Sequence, residues 1–329
     1  MHNSFGNRFV MTIFGASHAP RVGVRIEGVP AGIPLSADDF GHDLAARRAG
    51  AEGTTPRTER DIPHIEGLEG GYTTGAAIEI WFLNENTRPH DYDRFREHPR
   101  PSHADLAARR RYGDEADLAG GGIFSGRMTV ATVAAGVVAK KVLEGVRFTS
   151  EIIEIGGSRD TRSFEGIIRA AAAQGDSVGG VIECRAEGLP AGLGEPFFDS
   201  AESVISHLLF SVPAVKGVEF GSGFEGVRLS GAQRNDRIIS SDGRTATNNE
   251  GGINGGLTNG NTLIVRAAVK PAASIAQPQQ TYHFGHGAVE PLTVGGRHDV
   301  CIALRARIVV EAAVAAALAD LYLQRQWQR

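Results

Sequence analysis

This sequence predicts an α+β fold in which alanine-rich helices lie enclosed between antiparallel sheets, with the arrangement occurring once in each half of the chain. Three observations carry that expectation. Short strand-like segments bounded by glycine and polar turns recur along both halves. The segment GGGIFSGRMTVATVAAGVVAKKVL (120–143) passes from glycines into an Ala/Val helix that is apolar on nearly every side, so it needs cover on more than one face. The same order returns where GGRHDV (295–300) leads through a short apolar run into EAAVAAALADLYL. Two successions of strands followed by a buried helix suggest a β-α-β sandwich with duplicated halves. No Pro-, Ser- or charge-rich stretch divides the chain, and a single domain over residues 1–329 is expected.

The elements follow in order. Phe9 to Phe14 and Val22 to Ile26 read as the first two strands, joined by the polar turn GASHAPR. In PLSADDFGHDLAARRAG, Ser36 with Asp39 has the spacing of a capping box, and Gly50 suits the helix end, which puts Arg47 and Arg48 in the last turn. AAIEIWFL (76–83) reads as a buried strand. In RPSHADLAARRRYG, Ser102 with Asp105 reads as a second N-cap closed by Gly113, with His103 in the first turn and the arginines at 109–111 on a solvated face. Further strands are expected at GGVIECRAEG, KGVEFG, GVRLSG and NTLIVRAAV.

Composition narrows the function classes. A chain of 329 residues, 41% hydrophobic and 22% charged, can bury a sizeable core. A formal net charge of -4 argues against nucleic acid as a partner while leaving room for local basic pockets. The two cysteines, Cys184 and Cys301, lie far apart without metal spacing, so neither a disulfide scaffold nor a metal site is expected. The start MHNSFGNRFVMTIF has no signal-like pattern and no apolar run has membrane-spanning character, so a cytoplasmic location without membrane contact is expected.

Several motifs carry chemistry. TNNEGGINGGLTNGN (247–261) holds five glycines. It reads either as a flexible linker or as a loop whose main chain approaches a ligand, and the strand that follows favours the loop. GSGFEG (221–226) matches GxGxxG, yet Val227 to Leu229 after it reads as a strand, so a hairpin is expected rather than a dinucleotide fingerprint. Histidines occur in Ser17-His18, Ser102-His103 and Arg297-His298-Asp299. Arg47, Arg57, Arg100, Arg127 and Arg297 stand in loops or at helix ends beside Gly or Ser. Guanidinium forks suit carboxylates and phosphates, so these residues describe either a pocket for a polyanionic small molecule with histidines ready for proton transfer, or arginines scattered over the surface.

The motifs GASHAPRVGVRIEGVPAGIPLS, RPSHAD, GGGIFSGRMTVATVAAGVVAKK, AVKGVEFGSGF, NNEGGINGGLTNGN, KPAASI and GRHDVCIALRARIVVEA, in this order, resemble chorismate synthases over nearly the whole chain. The resemblance implies trans-1,4 elimination of phosphate from 5-enolpyruvylshikimate 3-phosphate, a phosphorylated cyclohexene, with reduced FMN required. It also implies a homotetramer and leaves room for an external flavin reductase. By position, His18, His103, Asp299, Ser17 and Ser125 match catalytic and relay residues. Arg47, Arg100, Arg127 and Arg297 match arginines of the substrate site, Arg297 also serving the flavin. Ser125, Pro213, Ala214, Gly255, Lys270, Pro271, Ala272, Ala273 and Ser274 match FMN contacts, which would make the glycine loop a flavin wall.

The sequence departs from the family pattern at identifiable places. GESHG is GASHA here, with Ala16 and Ala19, and RGGGRSSARET has become AGGGIFSGRMT, which puts Ile123 and Phe124 where Arg and Ser are usual. An arginine expected after Arg48 is missing from AGAEG (49–53). These changes leave open a paralogue acting on a related substrate, or a non-catalytic subunit that kept the fold.

Overall fold

The computed structural model describes residues 3–86, 89–115, 117–295 and 298–327. Two antiparallel sheets face each other across a helical layer. The first takes Ser4–Phe5, Val10–Gly15, Arg21–Glu27, Ile78–Leu83 and His64–Glu66 in that spatial order. The second takes Val215–Phe220, Leu263–Val269, Gly180–Glu187 and Arg147–Ile155. Alternation of buried and less buried residues, regular in Ile78–Leu83 and Leu263–Val269, fixes the register. Val24 pairs with Ile80 in the first sheet and Val265 with Cys184 in the second, all four buried. A one-residue slip would turn each of them to the opposite face.

The helices Thr129–Val142 and Ala303–Trp327 pack on each other, the first also against the first sheet and the second against the second. Side chains of both sheets and both helices form one apolar cluster, among them Phe9, Ile80, Val133, Ala313, Ile182 and Val265. Small side chains let the two helices come close. An alanine at Gly136 gains about 1 kcal/mol of helix propensity. Its Cβ, however, would lie 2.4 Å from Ala312 Cβ and 2.5 Å from Ala312 Cα. Backbone cannot yield as a side chain does, so Gly136→Ala is expected to destabilise the fold by a net ~1–3 kcal/mol. A denaturant midpoint equal to wild type would show that the helices separate freely. At the other end of the long helix, buried Asp320 accepts backbone N–H bonds from Asn7, Arg8 and Phe9 through Oδ1 at 2.6–2.9 Å and ties the first sheet's edge to the layer.

Local expectations meet the structure unevenly. The Ser36–Asp39 capping box forms, but it opens a 3-10 turn, Ala37–Phe40, that runs into the helix Gly41–Arg47. That helix stops three residues short of Gly50, because Arg48 is already extended. Gly113 closes Asp105–Tyr112 as expected, with φ 64. Ser102 does not cap it: the N-cap is Ala104, and the Asp105 carboxylate turns back to Arg100. The strand expected at GVRLSG is absent. GSGFEG is no hairpin either, since Gly223–Arg228 coils into 3-10 turns and leaves Val227 exposed. Glu219 sets that turn by accepting the Phe224 N–H, and a side chain at Gly223 would collide with it.

Candidate active site

A cavity of about 430 Å³ opens where the loops after several elements converge, a size within the range of small-molecule sites. Arg47, Arg48 and Ala49 reach it from the end of one helix, and Thr55, Arg57, Glu59 and Asp61 from the irregular segment that follows. Arg100, Ser102, His103 and Ala104 come from the turn before the next helix, and Gly120, Phe124, Ser125, Gly126 and Arg127 from the glycine turns before the buried one. Pro213, Ala214, Lys270, Ala272, Ala273 and Ser274 supply a smoother wall, and His298, Asp299, Ile302 and Arg305 stand at the start of the C-terminal helix.

Three consecutive glycines shape the turn at one side. Gly120, Gly121 and Gly122 take φ of 59, 84 and 52, a region that L side chains avoid. Behind Gly120 sits His18: an added Cβ would fall 2.1 Å from His18 Cε1 and 2.8 Å from Ser17 Oγ. Ser17 is fully buried, and its Oγ and carbonyl accept from Arg57 at 3.1 and 3.2 Å. Neither Ser17 nor His18 lines the cavity; both lie one layer back.

The arginines divide into two kinds. Arg47 is buried and donates to Thr129 Oγ1, Asp61 and the carbonyls of Gly126 and Arg127. Arg127 donates to Asn84 Oδ1, the Leu83 carbonyl and Asp61. Asp61 thus takes one fork on each oxygen and locks two strands of the loop system together. Arg100 grips Asp105 with Nε and Nη2, both at 2.8 Å, and donates to Ser274 Oγ. These guanidiniums are spent largely on protein acceptors. Arg48, by contrast, is exposed and has the Arg60 carbonyl as its hydrogen-bond acceptor, while Lys270 donates to the Ser102 carbonyl at 2.6 Å.

His103 is held from below. Its Nδ1 lies 2.6 Å from Asp105 Oδ1. Burial pushes the Asp105 carboxyl up, but hydrogen bonds from Arg100 and His103 outweigh that and hold it well below the usual carboxylate range. An ionised carboxylate only accepts, so the proton belongs on Nδ1, and Nε2, on the Gly121 side, is the nitrogen that can exchange one. Asp299 accepts from the Thr55 N–H at 2.8 Å and from Arg305 at 3.1 Å. Burial lowers the neighbouring His298. Burial and then Arg305 push the Arg47 guanidinium down to about 9, against the pull of Asp61. It remains charged at neutral pH.

The structure therefore brings together Arg47, Arg100, Arg127, His103, Ser125, Asp299, Pro213, Ala214, Lys270, Ala272, Ala273 and Ser274 on one cavity. Pro271 lies against Gly179 behind that wall, and Arg297 lies outside the described residues. Gly255 is elsewhere. It forms, with Gly256, the two-residue turn joining Ile253–Asn254 to Leu257–Thr258, at φ of 59 and 88, the geometry that tight hairpins require. Gly251 and Gly252 answer to packing: Cβ atoms there would come within 2.3 Å of Gly221 N and 2.6 Å of the Thr262 carbonyl. The glycine loop is no wall of this cavity within the chain. Sequence reasoning missed Asp61, which no motif marks, and gave no role to Arg305 although it stands within the GRHDVCIALRARIVVEA motif; it paired Asp105 with a capping Ser102, whereas the carboxylate pairs with Arg100 and His103.

A family model described as chorismate synthase matches residues 9–323. The chain is 53% identical to a chorismate synthase of Chitinophaga pinensis, covering 98% of this chain and 97% of that protein. It is 42% identical to a chorismate synthase of Korarchaeum cryptofilum over 96% of each. A solved crystal structure of chorismate synthase superposes with a TM-score of 0.75 at 26% identity, covering 97% of this chain and 93% of the other.

Proposed function

Because the chain belongs to the chorismate synthase family and acts as a chorismate synthase, a lyase, we propose that its cavity takes reduced FMN and 5-enolpyruvylshikimate 3-phosphate together. The products are chorismate and phosphate, by trans-1,4 elimination. The observation that carries this reading is the cavity's charge. Among the described residues, seven cationic side chains line it, Arg47, Arg48, Arg57, Arg100, Arg127, Lys270 and Arg305, against the carboxylates of Glu59, Asp61 and Asp299. Such an excess suits ligands that bring two phosphates and carboxylates. Arg48 and Lys270 meet the anions most directly, while Arg47, Arg127 and Asp61 form the frame that holds the loops.

The lining also suits a flat ring system. Ala214, Ala272 and Ala273 leave main chain close to the cavity, and a Cβ at Gly126 would meet no protein atom. Reduced FMN, when bound, supplies the electron density that the departing phosphate requires. His103, oriented by Asp105, moves a proton through Nε2. Asp299, steadied by Thr55 and Arg305, accepts or holds one, and Ser125 on the same cavity completes the relay. His18 and Ser17 act from behind the glycine turn, and Arg297 joins the substrate and flavin contacts. This proton-transfer apparatus is what a non-catalytic subunit would have no use for.

Phe124 faces the cavity and is half-exposed, with Tyr112 at 6.4 Å between ring centroids. Phe124→Ser is expected to tighten FMN binding by about tenfold by restoring a hydrogen-bonding group. A fluorescence titration with equal or weaker affinity would show that the ring itself seats the flavin.

The remaining parts of the proposal are a homotetramer, in which exposed side chains such as Phe197 and Phe198 find cover, a cytoplasmic location, and a flavin reduced by another protein. No helix among the described residues is long and apolar enough to cross a membrane. The contiguous core supports one domain over residues 1–329. The deciding experiment is anaerobic incubation with reduced FMN and the substrate. Chorismate and phosphate should appear in equal amounts, and none with oxidised FMN. Absence of both products with reduced flavin would overturn the reading.

A further inference from the structure

The hairpin Gln279–His283 and Ala288–Leu292 carries groups that the elimination does not use. His283 pairs with Ala288 and Thr281 with Glu290, so His283 and Glu290 emerge on one face a diagonal step apart. His286 stands in the turn between them. One donor atom from each of His283, His286 and Glu290 lies within 4.8 Å of the others. His286 Nδ1 is 3.1 Å from both Glu290 carboxylate oxygens. The His286 backbone N–H donates to His283 Nδ1 at 3.2 Å, and the two imidazoles stack with centroids 3.8 Å apart. A surface ion pair accounts for His286 with Glu290, and the turn's own N–H holds the second imidazole by Nδ1, so the hairpin gathers two imidazoles and a carboxylate at one point.

We propose that this hairpin binds one divalent transition-metal ion of the zinc, nickel or copper class through His283, His286 and Glu290. Two imidazoles and one carboxylate are the mixed nitrogen and oxygen set that such ions favour, whereas calcium and magnesium favour oxygen alone. The donors must close to about 3.4 Å, the separation of ligands that each sit ~2.1 Å from a tetrahedral ion. Rotation of the exposed His286 ring out of the stack supplies that movement, and water completes the coordination. The cysteine-based reading of the sequence could not reveal this site, whose signal is two histidines three apart followed by a glutamate.

The position gives the ion something to brace. His98, buried at 8% exposure, has its ring centroid 4.7 Å from that of His283. The Phe284 N–H donates to the Glu97 carbonyl at 2.7 Å, and Thr281 Oγ1 donates to the Pro99 carbonyl at 3.1 Å. The hairpin thus grips the residues that run directly into Arg100 and His103. An ion fixing its turn stiffens that wall of the cavity without touching it.

The test uses tag-free full-length chain stripped with a chelator. Calorimetric titration with zinc alone should give one ion per chain, and cobalt should give the absorption of a tetrahedral site. The double variant His283→Ala with His286→Ala should bind zinc at least ~100-fold more weakly, and Glu290→Gln, the milder change, ~10-fold more weakly. Both variants should melt with the metal-free wild type, and magnesium should give no heat. Zinc bound by the double variant with unchanged affinity and stoichiometry would place the ion elsewhere and overturn the proposal. So would a wild type that takes up none at micromolar free zinc.

Discussion

His103→Ala is expected to lower kcat by about 10²-fold or more, the range over which a positioned general acid or base contributes, while the protein keeps its fold. The side chain is partly exposed on the cavity and contributes nothing to the apolar core. What the variant loses is a proton carrier whose orientation is fixed by Asp105. The same geometry separates carrier from positioner. In Asp105→Asn the amide can still meet Nδ1, but as a donor it would favour the tautomer with the proton on Nε2. Activity should then fall with a displaced pH profile rather than a simple loss of amplitude. Since the Asp105 carboxyl is held below the usual range, its grip on His103 and Arg100 is complete at neutral pH and is lost only as pH falls through that depressed value. Turnover in His103→Ala within a factor of two of wild type would remove the histidine from the mechanism.

What the sequence made legible was periodicity and chain order. The helix 129–142 and the stretch 311–323 announced themselves because alanine-rich, mostly apolar faces admit only a sandwiched position, while the second helix in fact begins at Ala303, eight residues before that stretch. The cavity was half legible. Lys270 and Ser274 converge on it with Arg100 because a strand end and a helix entry meet there. The spacing of arginines in sequence says nothing about which ones are consumed by the protein. Arg47 and Arg127 look like ligand forks until Asp61 is found between them, and adjacent Arg48, less conspicuous, keeps its charge exposed. The glycine loop shows what composition alone leaves open. Its glycines satisfy turns and close chain crossings at Gly221 and Thr262, contacts that lie far away in sequence and leave no local signature beyond the composition itself.

The largest stability effect is expected inside the helical layer, at Lys140. Its ammonium bridges two carboxylates, Asp43 at 2.7 Å and Glu311 at 2.6 Å, each with a side chain 8% exposed. Glu311 also accepts from Ser150 Oγ at 2.6 Å, so the network joins three helices and a strand. Lys140→Met keeps the length of the side chain and removes the charge, which leaves two acids buried without a cation. Breaking a buried pair in this way costs about 3–5 kcal/mol, and the lower end applies because Lys140 retains some exposure. A melting temperature about 5–10 °C below wild type is the corresponding shift. Burial pushes the Lys140 ammonium down, but Glu311 and Asp43 outweigh it and hold it above the usual lysine value. The stabilisation is therefore fully present below the unfolded lysine value and disappears as pH rises through the raised one. Wild type and variant should converge in strong alkali for that reason. Adding Asp43→Asn and Glu311→Gln to the variant should recover most of the loss, since a buried charge network replaced as a whole is often no less stable. A single variant that melts with wild type at neutral pH would mean that water already reaches these carboxylates and that the bridge is not what holds the layer together.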